Sequence, residues 1–157
     1  MANISILGAR TTTLTPASFD NIYIGRDGTI VDSTGILATN IVDLDIIIDG
    51  AVIGLGGNAI RLLGTTGEID ISLGNGGRVS GSSGSAIFMD SESAAELNVT
   101  NAGTIQSNDG RAIFNEGDGA TFISNTGEIT ATGDDANEGD AIVTEGALTL
   151  RNDGTIT

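Results

Sequence analysis

The sequence predicts an all-β fold, a parallel β-solenoid in which short strands are laid down lap upon lap. Three observations carry that expectation. A box of the form Asn-x-Gly-x-(Ile/Val) recurs along the chain, a second box, Gly-x-Ala-Ile, follows it, and a stretch of alternating apolar and polar residues precedes it. The composition points the same way. The 157 residues include 24 Gly, 1 Pro, no Cys and 3% aromatics. Abundant Gly without Pro implies many tight turns rather than collagen or a disordered segment. The apolar residues are mostly Ile, Leu, Val and Ala, which suit thin β cores.

The first box reads Asn75-Gly-Gly77-Arg-Val79, Asn101-Ala-Gly103-Thr-Ile105, Asn125-Thr-Gly127-Glu-Ile129 and Asn152-Asp-Gly154-Thr-Ile156. Weaker copies lie at Gly28-Thr-Ile30 and Gly50-Ala-Val52, where Arg26 and Ile48 take the Asn place. The glycines are spaced by 22, 27, 26, 24 and 27 residues. Regular recurrence at this period marks a repeat architecture. The second box reads Gly57-Asn-Ala-Ile60, Gly84-Ser-Ala-Ile87, Gly110-Arg-Ala-Ile113 and Gly139-Asp-Ala-Ile142, the last after an insertion near 133–137. The alternating stretch gives the inward pairs Leu44/Ile46, Ile71/Leu73, Leu97/Val99, Thr121/Ile123 and Leu148/Leu150.

Three period-2 segments per repeat, each bounded by Gly or Asn, make three strands and three corners per lap. One lap cannot bury its apolar face alone, but stacked laps make continuous ladders. Val52, Val79, Ile105 and Ile129 are expected to point inward from one strand, and Ile60, Ile87, Ile113 and Ile142 from the next. The box glycines suit corners that need φ > 0. Asn75, Asn101, Asn125 and Asn152 should stack, with amides bonded along the axis. An antiparallel sandwich would show no such fixed repeat.

Charge narrows the partners. The chain carries 21 acidic and 6 basic residues, all six Arg, for a formal charge of −15. That surface repels phosphate, which argues against nucleic acid and anionic membranes. No stretch approaches the about 20 apolar residues of a membrane span, so no membrane insertion is expected. Residues 1–15 lack a basic stretch followed by an apolar one, the pattern of a secretory signal. Without Cys the redox compartment is not legible.

These boxes resemble the right-handed parallel β-helix repeats of secreted bacterial surface proteins, in particular the passenger regions of autotransporter and haemagglutinin-like adhesins and large acidic type I-secreted proteins. The resemblance covers about residues 24–157 and implies a right-handed parallel β-helix of five to six coils, extracellular or on the bacterial surface. It implies an adhesin, filament, stalk or surface-layer role. The Gly-Gly-x-Gly-x-Asp nonapeptide of calcium-binding rolls is absent; Gly54-Leu-Gly-Gly57 is only an echo of it.

Candidate sites follow from the repeat. The corner after the second box is acidic in neighbouring laps, with Asp90 and Glu92, then Glu116 and Asp118, then Glu145. Stacked carboxylates repel, and calcium, a hard cation that takes six to eight oxygens, is the natural neutraliser. The inserted loop adds Asp134, Asp135, Glu138 and Asp140 as a second candidate. The plainer reading of both is a solvated acidic surface, with Asp140 paired to Arg111 one lap away. If the second-box isoleucines face inward, Arg61, Phe88, Phe114 and Val143 face outward as a strip suited to another chain or a sugar ring. Burial of Phe88 and Phe114 under a local loop is the alternative.

Residues 1–23 fall outside the repeat and are expected to cap the first lap of the solenoid at 24–157. The chain stops at Thr157 in mid-lap, so it is expected either to belong to a longer protein or to stack end to end with another copy, a contact that propagates as a filament. A catalytic role has thin support: without His, Cys or Lys most nucleophile–base pairs are unavailable. The expected function is therefore a non-catalytic extracellular structural or adhesive module, with a surface glycan or protein as partner. The alternative is a carbohydrate-binding or polysaccharide-cleaving β-helix using Arg61 or Arg78.

Overall fold

The structure, a computed structural model, describes residues 1–133 and 139–157. All described regular elements are strands, gathered in three sheets in which every pairing is parallel. The first sheet stacks Asn3–Ile6, Asp20–Ile24, Val42–Ile48, Thr66–Leu73, Glu96–Asn101, Thr121–Asn125 and Leu148–Asn152. The second stacks Ala9–Arg10, Thr29–Asp32, Ala51–Gly54, Arg78–Gly81, Thr104–Ser107, Glu128–Ala131 and Thr155–Ile156. The third has five strands, Ile36–Thr39, Ile60–Leu63, Ile87–Met89, Ile113–Asn115 and Ile142–Thr144. From Asp20 to Thr144 the chain visits the sheets in that order lap after lap, which makes a β-solenoid of about five turns.

The ladders run as the repeat requires. Val79 sits in register between Val52 and Ile105, and Ile105 faces Ile129; all four are fully buried. Ile87 lies between Ile60 and Ile113, again fully buried, and Ile113 is in register with the partly buried Ile142. Successive laps bury the aliphatic side chains that a single lap leaves exposed, and these columns form one continuous core.

Two details of the sequence reading are corrected. In the first sheet Ile71 and Leu73 are both buried as expected, but the pair in register with Leu44/Ile46 and Leu97/Val99 is Ile69 and Ile71; Leu73 occupies the column continued by Asn101. Asn75 therefore stands outside the Asn ladder, exposed in the corner. The cause is corner length: four residues separate Leu73 from Arg78, but only two separate Asn101 from Thr104. The column changes chemistry along the axis. It runs Ile6, Ile24, Ile48 and Leu73, then Asn101, Asn125 and Asn152.

The second correction concerns glycine. Gly64 and Gly67 are the described glycines with positive φ, so the box glycines are not set by a left-handed corner. A Cβ on Gly103 would collide with the backbone carbonyl of Gly77, and one on Gly127 with that of Gly103. Lap-to-lap backbone contact is what requires Gly there.

The Asn ladder is built as the stacked amides suggest. Asn101 Nδ2 donates to Asn125 Oδ1 at 2.8 Å, and Asn125 Nδ2 donates to Asn152 Oδ1 at 2.8 Å. Asn101 Oδ1 accepts from the Gly103 N–H, closing the corner. Asn101 and Asn125 are buried, so each lost partner leaves a desolvated amide. Asn125→Ala is expected to lower stability by about 1–3 kcal/mol. A double-mutant cycle with Asn101→Ala should return a coupling of at least about 0.5 kcal/mol; additive losses in chemical denaturation would show that the Asn101–Asn125 amide bond carries no stability.

Residues before the first box also follow the helical path. Asn3–Ile6 pairs with Asn21–Ile24, Ala9–Arg10 with Thr29–Ile30, and Leu14 bridges to Ile36 on the third sheet. Two carboxylates tie this lap down. Asp20 accepts from the N–H groups of Ala17 and Ala2, which hold its pKa below the usual carboxylate value. Asp32 accepts from the Thr13 hydroxyl and from the N–H groups of Ser33 and Thr13, and its pKa is lowered for the same reason. A carboxylate with a depressed folded pKa stabilises fully above its unfolded value of about 3.9 and loses that contribution as pH falls through the folded value. The melting-temperature gap between the parent chain and Asp32→Asn should therefore be full at pH 6 and close below about pH 4. A gap that does not change with pH would remove the carboxylate from the account.

Candidate functional site

Three surface regions combine unusual chemistry with defined geometry. On the outer face of the third sheet, the rung Leu37, Arg61, Phe88, Phe114 and Val143 is in continuous register. Alternation from the buried isoleucines places it there. Phe88 and Phe114 are half-buried, with ring centroids 5.6 Å apart and planes tilted by 58°. Their faces are not bare. The Arg61 guanidinium stands 6.0 Å from the Phe88 centroid and that of Arg111 4.0 Å from Phe114, both within cation–π range. The expected pairing of Arg111 with Asp140 is replaced by this stacking: among the described residues the ion pair present is Arg151–Asp153. Arg111 and Asp140 do occupy equivalent places in successive laps, but Asp140 is exposed while Arg111 folds back onto the ring.

The candidate calcium residues occupy the corners around this strip. Asp90 is half-buried, and its Oδ1 accepts from the Gly64 N–H at 2.9 Å and the Ser93 hydroxyl at 2.6 Å. The Ser93 hydroxyl in turn accepts from the Thr65 N–H. Asp90 thus fastens one corner to the next. Glu116 is half-buried; Glu92, Asp118 and Asp140 are exposed. Asp134, Asp135 and Glu138 lie outside the described residues. Among the described residues no three Asp, Glu, His or Cys side chains gather as a metal-holding group.

The outer face of the first sheet carries an acidic group that the sequence reading missed. Asp45 lies directly opposite Asp70, and Glu68 directly opposite Glu96. Like charges facing across neighbouring strands are destabilising. One amide bridges them: Asn98 Nδ2 donates to Glu68 Oε1 at 2.7 Å and Asp70 Oδ1 at 3.1 Å, with Glu96 Oε1 at 3.4 Å. Phe19, Tyr23 and Ile47 are exposed near the same end of this sheet. Tyr23 donates its hydroxyl to Asp49 at 3.0 Å, and this bond raises its pKa. The signal was present as Asp-x-Asp at 43–45 and Glu-x-Asp at 68–70, but it aligns only once the two-residue register correction is made.

Shallow depressions accompany these features. One, of about 290 Å³, is bordered by Phe19, Asp43, Asp45, Glu68 and Asp70. Another, of about 220 Å³, lies beside Phe88 and Arg111. A third, of about 300 Å³, lies beside Phe122 and Arg151, and all three are open to solvent rather than enclosed. Arg61 and Arg78, the arginines of the polysaccharide-cleaving alternative, sit on different sheets, and Arg78 donates to Gln106 Oε1 at 3.2 Å. The chain matches no protein-family model, no curated protein and no solved structure.

Proposed function

We propose that this protein is a non-catalytic structural and adhesive module that works outside the cell through axial stacking and display of its outer faces. The observation that carries the reading is the all-parallel pairing of three sheets over one buried aliphatic core, an architecture that makes an elongated scaffold with repeating outer rungs. Supporting it, the depressions found among the described residues are open to solvent and lie on the outer faces. The chain also contains neither His, Cys nor Lys, which narrows acid–base and nucleophilic chemistry. In this reading residues 1–23, which pair onto the following lap, cover the first edge of the described stack. End-to-end association belongs to the same reading: a copy seated on the edge formed by Ile142–Thr144, Leu148–Asn152 and Thr155–Ile156 continues the three sheets.

Localisation and assembly test it separately. An impermeant biotin reagent applied to intact cells producing the protein with one added surface Cys should label it; recovery only in the unlabelled cytosolic fraction would overturn the extracellular role. Sedimentation velocity of the purified chain should show larger species as concentration rises, with rods by electron microscopy. A single monomeric species at every concentration would remove the assembly part and leave display intact.

A further inference from the structure

The depression beside Phe88 is chemically unbalanced. It lies on the outer face of the third sheet, holds about 220 Å³, and is lined by Asn58, Ser83, Phe88, Asp109, Arg111 and Phe114. Arg111 is held against the Phe114 ring at 4.0 Å. Its Nε is buried and has no hydrogen-bond partner. Among the described residues no carboxylate forms an ion pair with its guanidinium, and that includes Asp109 two residues before it. A buried cationic donor without an acceptor is costly. Among the described residues Arg10, Arg26, Arg61 and Arg78 also lack an ion pair; Arg111 differs from them in its buried, unbonded Nε.

We propose that this cleft binds a carboxylate-bearing sugar ring, a uronic acid unit. The carboxylate takes the N–H edge of the Arg111 guanidinium, which matches carboxylate geometry and is pre-ordered by stacking on Phe114. The apolar face of the ring lies against Phe88, whose own guanidinium partner, Arg61, stands further away at 6.0 Å. Asn58, Ser83 and Asp109 supply donors and an acceptor for the ring hydroxyls. An inorganic anion would leave the aromatic wall unused, and a neutral sugar would leave the terminal N–H groups of the Arg111 guanidinium without a carboxylate. The small volume admits one ring, and the net charge of −15 repels a long polyanion, so the ligand is a single or terminal uronate. The inference rests on the adhesive part of the proposed function and names its target class.

The test uses the full chain, isotope-labelled, titrated with galacturonate, galactose and acetate while the Arg111 Nε–H and the Phe88 and Phe114 ring signals are followed by NMR. Galacturonate should shift all three saturably, with galactose and acetate each at least about tenfold weaker. Arg111→Gln should weaken galacturonate by about ten- to a hundredfold. Phe88→Leu, which keeps the cation, should weaken galacturonate but not acetate, so a fold defect in the first variant does not decide the matter. Equal affinity for acetate and galacturonate, galacturonate binding that survives Arg111→Gln, or no saturable shift would each overturn the assignment. If galacturonate fails while the protein still adheres to glycan-coated surfaces, this site is wrong and the adhesive reading stands.

Discussion

Gly103→Ala is expected to lower the stability of the chain by about 4 kcal/mol or more, equivalent to a drop in melting temperature of about 10 °C for a domain of this size, while Gly57→Ala stays within about 1 kcal/mol. The contrast follows from what each new methyl meets. A Cβ at Gly57 has the Ser33 carbonyl oxygen at 3.7 Å as its nearest neighbour, an ordinary contact. A Cβ at Gly103 meets the Gly77 carbonyl, and that oxygen already accepts the inter-lap bond from the Thr104 N–H at 2.9 Å. Backbone atoms inside a sheet cannot swing aside as a side chain does. The laps must part, and separation breaks the register bonds on both sides of the corner. The same contact recurs at Gly50 against Gly28, Gly127 against Gly103 and Gly154 against Gly127. Substitution along this column should therefore be uniformly harmful. Equal melting temperatures for Gly103→Ala and Gly57→Ala would mean that the close backbone approach is not real.

Ile87→Ala is expected to be the most damaging of the third-sheet truncations, at about 3–5 kcal/mol. Ile87 is fully buried between Ile60 and Ile113 and belongs to the continuous core. Shortening it removes apolar contact with both neighbouring laps and opens a cavity that the strands, fixed by parallel hydrogen bonds, collapse into only partly. Ile142→Ala at the end of the same column should cost less than half as much, because that side chain is only partly buried. Urea unfolding of the two variants gives the comparison. Similar losses would show that the column is not a graded stack with its most buried rungs in the middle.

The fold was legible because the physical demand and the sequence signal share one period. Each lap must place an aliphatic side chain over the one before, so Val79, Ile105 and Ile129, like Ile87 and Ile113, recur where the column needs them. Register was less legible where corners differ in length. The box around Asn75 looks like the one around Asn101, yet the two-residue excess in the 74–77 corner hands the ladder place to Leu73. That shift of two also hid the facing pairs Asp45/Asp70 and Glu68/Glu96. The reason for the box glycines was misjudged because both a positive φ and a close backbone contact select Gly, and only coordinates separate them.

At the surface the outward strip of Arg61, Phe88, Phe114 and Val143 followed from alternation alone. The partner of Arg111 did not. Lap alignment brings Asp140 opposite it, but a flexible side chain chooses among neighbours, and the ring of Phe114 in its own lap is the one it covers. Asp90 stands out in the sequence because it is acidic and repeats; the sequence does not show that its Oδ1 accepts from the Gly64 N–H and the Ser93 hydroxyl. Composition marks where charge gathers, whereas hydrogen bonds to the backbone decide how much of it remains available.

The central claim is that successive laps run parallel with Ile87 directly between Ile60 and Ile113. Nuclear Overhauser spectroscopy on protein labelled at the isoleucine δ1 methyls tests it most directly. The account predicts contacts from the Ile87 methyl to those of both Ile60 and Ile113, and no strong Hα–Hα contacts between neighbouring strands. Strong cross-strand Hα–Hα contacts, the mark of antiparallel pairing, or an Ile87 methyl that sees neither partner would contradict it.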